Sequence, residues 1–120
     1  MTLETILVSG DGERLARFYR DLLGATETAR FPADGAPFYL GMELSGARLG
    51  VVCEASAPDG PQRFLLSAEV GAAADVDALL PRVVELGGTV SGDPTDMPWG
   101  QRVGHVRDPD GNTLNLCGAL

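Results

Sequence analysis

The one histidine of the chain, His105, lies in the alternating segment QRVGHVR at 101–107, ahead of Asn115 in the segment TLNLC at 113–117. An imidazole titrates near neutrality, so His105 is a candidate general acid or base. A strand histidine satisfied on a sheet surface is the plainer alternative. Between the two segments runs Asp108-Pro109-Asp110-Gly111, a type I turn signal with Pro at the second position and Gly where positive φ is needed. It predicts an antiparallel hairpin, and a bulge after Gly111 would set His105 opposite Asn115. Asp108 and Asp110 are read as turn residues. Upstream, Trp99 follows Met97 and Pro98 in a segment that reads as a loop. It can stack on a flat ligand or seal the rim of the fold. Cys53 and Cys117 are too few for a disulfide framework, and neither has a basic neighbour in sequence to activate its thiol. They read as small apolar side chains. There is no Gly-x-Ser-x-Gly, Walker, Cys-x-x-Cys or His-Glu-x-x-His motif.

The elements that must position these residues come in two similar sets. RLARFYRDLLGAT at 14–26 is answered by DALLPRVVELGGT at 77–89, YLGM at 39–42 by RVGH at 102–105, and LGVVC at 49–53 by LNLC at 114–117. Two copies of about 60 residues are too few and too long for a solenoid and fit two supersecondary units. In the first, residues 3–8 read as a strand. Asp11 caps a helix through Leu23, with Leu15, Phe18, Leu22 and Leu23 at helical spacing and Gly24 as its C-cap. Strands follow near 26–31, 37–43 and 48–54. In the second, a strand at 64–70 leads to a helix over about 75–86, capped by Asp75 or Asp77. Strands follow near 89–92, 101–107 and 113–117. Pro81 costs about 3 kcal/mol inside a helix, which predicts a shortened first turn or a kink. The expected architecture is α+β, two βαβββ repeats in one domain over 1–120. The first unit spans 3–54 and the second 63–118, with a Pro/Gly/Asp-rich linker at 55–62.

With 120 residues, 44% hydrophobic and 22% charged, the chain has the size and composition of an ordinary soluble domain. Its net charge of −8 argues against phosphate-directed nucleic-acid binding and against a polybasic membrane surface. All nine basic residues are arginine, which excludes lysine Schiff-base chemistry and P-loop phosphate binding. That bias, with abundant Ala and Gly, fits a GC-rich bacterial genome. No apolar run reaches the roughly 20 residues of a membrane span, and no signal peptide is visible at the start. A cytoplasmic protein with reduced thiols is expected.

Three segments, RLARFYRDLLG at 14–24, DVDALLPRVVELGGTV at 75–90 and MPWGQRVGHVRDPDGNTLNL at 97–116, resemble the glyoxalase/bleomycin-resistance/dihydroxybiphenyl-dioxygenase group, the vicinal-oxygen-chelate superfamily. The resemblance implies one domain of paired βαβββ units around a concave mixed-sheet trough, often as a homodimer. It also implies where a metal would be held. A His, sometimes Gln, is usual 14 residues before the Phe of the Phe-Tyr pair, and that position is Glu4. A second His is usual on or next to Ala68, and a Glu is usual at Asn115. Alanine offers no lone pair and an amide is a weak ligand, so the expectation is no metal and no other cofactor. Strand alternation then places Ile6 and Val8 beside Glu4 in the trough, with Leu3 and Leu7 towards the helix layer. Cys117, His105, Gln101 and Val103 would join Asn115 there. An apolar trough edged by Glu4, His105, Asn115 and Gln101 has the make-up of a small-molecule pocket. Trp99 would stand at its mouth, and Tyr39 and Met42 would line it or pack a dimer interface. The expected function is metal-independent binding of a hydrophobic or aromatic small molecule, as in drug or antibiotic sequestration. The rival is a glyoxalase-like lyase, isomerase or epimerase using Glu4 and His105.

Overall fold

A computed structural model describes residues 4–57, 60 and 64–120. It resolves into two compact units, Met1–Asp59 and Gly60–Leu120. Leu3 and positions 58, 59, 61 and 62 of the expected linker lie outside the described residues.

In the first unit, β1 (Glu4–Ser9) leads to α1 (Gly12–Leu23), then β2 (Thr26–Phe31), β3 (Tyr39–Leu44) and β4 (Ala47–Cys53). The sheet runs in the order β1-β4-β3-β2, with β1 parallel to β4 and the other pairs antiparallel. Helix α1 begins where expected because the Asp11 carboxylate accepts the Arg14 N–H at 3.2 Å, satisfying one orphan donor of the first turn. It ends at Gly24, whose φ of 78° suits the left-handed cap. Leu15, Ala16, Phe18, Tyr19 and Leu22 form its buried stripe. They pack on Leu40, Met42, Leu49 and Val51, each large side chain contributing about 1.5–3 kcal/mol on burial. Gly12 permits a close approach of helix and sheet: a Cβ there would strike the Cys53 sulfur and come within 3.2 Å of Val51.

In the second unit, β5 (Leu66–Ala72) leads to α2 (Ala73–Glu85), then β6 (Thr89–Val90), β7 (Thr95–Met97), β8 (Gln101–Arg107) and β9 (Thr113–Ala119). The main path is β5-β9-β8-β6, with β7 also paired to β8. Strand β5 is parallel to β9, and β8 and β9 form the expected hairpin. Its turn is tied by Asp108, only 2% exposed. That carboxylate accepts the N–H groups of Asp110 and Asn112 and the Asn112 side-chain amide, each at 2.9 Å. Gly111, at φ 85°, completes the turn.

One expectation fails in α2. The helix starts at Ala73 rather than 75, and Asp75 is inside it, reaching back to accept the Ala72 N–H at 2.8 Å. Pro81 is an interior residue of the helix. Pro81 and Asp77, the residue four earlier whose carbonyl it leaves unbonded, are both exposed, so water can take the missing donor's place. The short strand β7 was not expected from its sequence, Thr-Asp-Met. Arg102 holds it from the next strand, donating to Asp96 at 2.9 Å and to Asp77 of α2 at 3.0 Å. The chain is thus α+β, with a helix against a mixed sheet in each unit.

Candidate functional site

Strand register decides which side chains share a face. In the first unit Glu4 lies opposite Arg48, and Arg48 opposite Glu43. Gly41 lies opposite Gly50, and Tyr39 opposite Phe31 and Val52. These residues, with Ile6 and Val8, occupy the face away from α1. The other parity (Leu7, Leu40, Met42, Leu49, Val51) faces the helix. On the face away from α1 is a depression of about 290 Å³, bordered by Glu4, Thr28, Tyr39, Gly41, Glu43 and Arg48. The Tyr39 hydroxyl donates to the Glu4 carboxylate. That bond, together with burial and the carboxylate's negative charge, raises the Tyr39 pKa above its ordinary 10.0. Gly41 and Gly50 make room for the pair. A Cβ at Gly50 would collide with the Glu4 carboxylate and approach the Tyr39 ring to 3.1 Å, and one at Gly41 would stand 3.3 Å from the same ring.

In the second unit the face away from α2 carries His105 opposite Asn115, Asn115 opposite Ser67, and Val103 opposite Cys117. His105 Nδ1 lies 2.9 Å from Asn115 Oδ1. The amide oxygen is an acceptor, so this contact assigns the proton to Nδ1 and leaves Nε2 as the basic nitrogen. The Cys117 sulfur is 3.3 Å from the Ser67 hydroxyl. Trp99 is 63% exposed, and its indole N–H donates to Gln101 Oε1 at 3.0 Å.

The residues singled out from the sequence therefore gather in two groups. Glu4 and Tyr39 are bonded in the first unit, and His105 is bonded to Asn115, and Trp99 to Gln101, in the second. Met42 borders the depression but is 2% exposed, and its register puts it with Leu40 towards α1. Sequence reasoning missed Glu43, Arg48 and Ser67. Their signal is register: each lies opposite a residue already singled out, or opposite that residue's own partner. Cys53 is on the helix side, against Gly12, and burial is the leading cause of its raised thiol pKa.

The positions where the resemblance implies metal ligands carry no imidazole or thiolate. The Tyr39 hydroxyl donates to the Glu4 carboxylate, and the Asn115 amide oxygen lies against His105. Ala68 is opposite Leu116 on the helix side, and its neighbours Ser67 and Glu69 lie opposite Asn115 and Cys117 on the other face. Hydroxyl, amide and carboxylate side chains lack the imidazoles and thiolates that dominate zinc-type sites. Among the described residues no three His, Cys, Asp or Glu side chains cluster to hold a metal.

Comparison with known proteins agrees with the fold. The model of the Glyoxalase/Bleomycin resistance protein/Dioxygenase superfamily matches residues 3–116, and the chain belongs to this family. A glyoxalase/bleomycin resistance protein/dioxygenase family enzyme from Burkholderia phytofirmans PsJN is 18% identical with a TM-score of 0.83, over 98% of this chain and 97% of that one. A fosfomycin resistance protein from Mesorhizobium loti is 15% identical with a TM-score of 0.78, over 100% and 92%. A lactoylglutathione lyase from Agrobacterium tumefaciens is 21% identical with a TM-score of 0.69, over 98% and 92%. At these identities the likeness is one of fold. No curated protein sequence matches significantly. Among the described residues no helix is long and apolar enough to cross a membrane.

Proposed function

We propose that the chain binds a small hydrophobic or aromatic molecule without a resident metal, as a sequestering or carrier protein. The observation that carries this reading is the depression of about 290 Å³ beside the Glu4–Tyr39 pair. Its size is near the lower end of small-molecule sites. Exposed Ile6, Val8 and Phe31 extend an apolar surface over the same face, and a few fixed polar groups orient the occupant. Drug or antibiotic sequestration is consistent with a fold that a fosfomycin resistance protein shares. One domain over 1–120 and assembly as a homodimer are part of the proposal. A single calorimetric unfolding transition and a sedimentation mass of two chains are expected; two transitions or a monomer would remove those parts.

The experiment has two arms. Elemental analysis of protein purified without chelator should find no stoichiometric Zn, Fe, Ni or Mn. One ion per chain, lost in Glu4→Gln, would overturn the metal-independent reading. A screen of aromatic compounds should yield ligands that bind and are recovered unchanged. Turnover would favour the second reading, a lyase, isomerase or epimerase using Glu4 and His105. The observation behind that alternative is the Asn115 contact, which fixes one tautomer of His105 and so orients a basic nitrogen.

A further inference from the structure

The hydrogen-bonding capacity left at the first unit's depression is lopsided. The Tyr39 proton is committed to Glu4, and with its pKa raised the phenol keeps that proton through the neutral range. What Tyr39 and Glu4 still offer a visitor is acceptors: the phenol oxygen's remaining lone pairs and those of the carboxylate. Glu43 adds a second carboxylate to the border. The positive charge there is Arg48, and its register partners on the two neighbouring strands are Glu4 and Glu43. An anion reaching for Arg48 would therefore lie between two carboxylates. The border carries an excess of one negative charge, and a partner bringing donors and positive charge meets no such conflict.

Aromatic and apolar surface completes the setting. The Phe31 and Tyr39 rings are 6.4 Å apart, tilted at 35°, and Phe31 is 55% exposed. A cation near such rings gains attraction from their faces as well as from the carboxylates. Ile6 and Val8, about half exposed on the same sheet face, can take an apolar body.

We propose that this depression recognises a small organic cation, an ammonium or amidinium group carried on an apolar or aromatic body, with Glu4 and Glu43 as the charge-selecting groups. The inference rests on the small-molecule reading above and names its ligand class.

Three probes that share one ring test it: benzamidine (cationic), benzamide (neutral) and benzoate (anionic), titrated into the full nitrogen-15-labelled chain. The backbone amides of Gly41 and Gly50, on the sheet beneath Tyr39, are the reporters. Benzamidine should bind about threefold to fivefold more tightly than benzamide, the range of a partly exposed ion pair, with benzoate weakest. The preference should shrink in high salt and in Glu4→Gln. Glu43→Gln should reduce it as well; this side chain is exposed, so the variant keeps the test valid if Glu4→Gln does not fold. Benzoate binding best, or all three binding equally at Gly41 and Gly50, overturns the cation preference and leaves the small-molecule reading standing. Shifts confined to other amides overturn the placement. No shift anywhere with any probe counts against both.

Discussion

The two units share a plan and differ in chemistry. In each, the first strand runs parallel to the last and a helix covers one sheet face. On the opposite face the first unit presents a carboxylate locked to a phenol above two glycines, while the second presents an imidazole held by an amide. The hairpins differ too. Strands β3 and β4 join through Ser45-Gly46, and β8 and β9 through a five-residue turn, 108–112, built around a buried aspartate. Each unit thus has one sheet face covered by its helix and one left open, and the two open faces carry different side chains.

The largest expected effect tests backbone closeness, which is tighter in the second unit. A Cβ on Gly118 would strike the Ala72 carbonyl, an atom of the main chain that cannot rotate away. Gly118→Ala should cost about 3 kcal/mol, the upper range for overpacking, in denaturant unfolding. At Gly50 the obstructing atom ends the flexible Glu4 side chain, so Gly50→Ala should cost only about 1 kcal/mol. Equal costs would erase this contrast. Next comes Asp108→Ala, which leaves three donors of the second hairpin unpaired. It should cost about 2–3 kcal/mol; a loss below about 0.5 kcal/mol would show that the turn holds without its aspartate.

A smaller effect concerns the locked pair of the first unit. The folded-state pKa of Tyr39 lies above 10.0, chiefly through the bond to Glu4. The protonated phenol is the form that folding favours. Its contribution is therefore complete below the unfolded value and is lost as pH rises from there through the folded value. Between pH 8 and 11 the thermal midpoint should fall more in the wild type than in Tyr39→Phe; parallel curves would mean that the bond adds nothing. Smallest of all, Trp99→Ala should change stability by less than about 0.5 kcal/mol, as at other exposed positions. It should still weaken any aromatic ligand that quenches Trp99 fluorescence. Unfolding of that variant would make Trp99 a structural plug.

Most element bounds were legible in the sequence because the signals were local: Asp11 and Gly24 around α1, and the Asp-Pro-Asp-Gly turn that sets His105 opposite Asn115. What the repeat could not convey was parity. YLGM and RVGH occupy matching places in the repeat, yet Met42 faces α1 while His105 faces away from α2. Cys53 and Cys117 part in the same way. The hairpin turns differ in length, and β5 carries a register shift between Glu69 and Gly71 that the first unit's parallel pair lacks. A one-residue slip moves a side chain to the other face. The start of α2 and the existence of β7 escaped for another reason. Asp75 bonds backwards to Ala72, and Arg102 reaches two distant carboxylates; neither contact shows in local periodicity.

The parallel pairing of first and last strands also bears on how each unit is made. Glu4 finds its partner at Arg48, and Ser67 at Asn115. Synthesis runs at about 5–20 residues per second, so β1 waits seconds for the strand that will cover its inner edge. During that interval Ile6, Leu7 and Val8 form an unpaired apolar strand, the kind of template that recruits other chains. The helix that follows directly in sequence can shield one face of β1 during that wait, but only the end of the unit can close its edge.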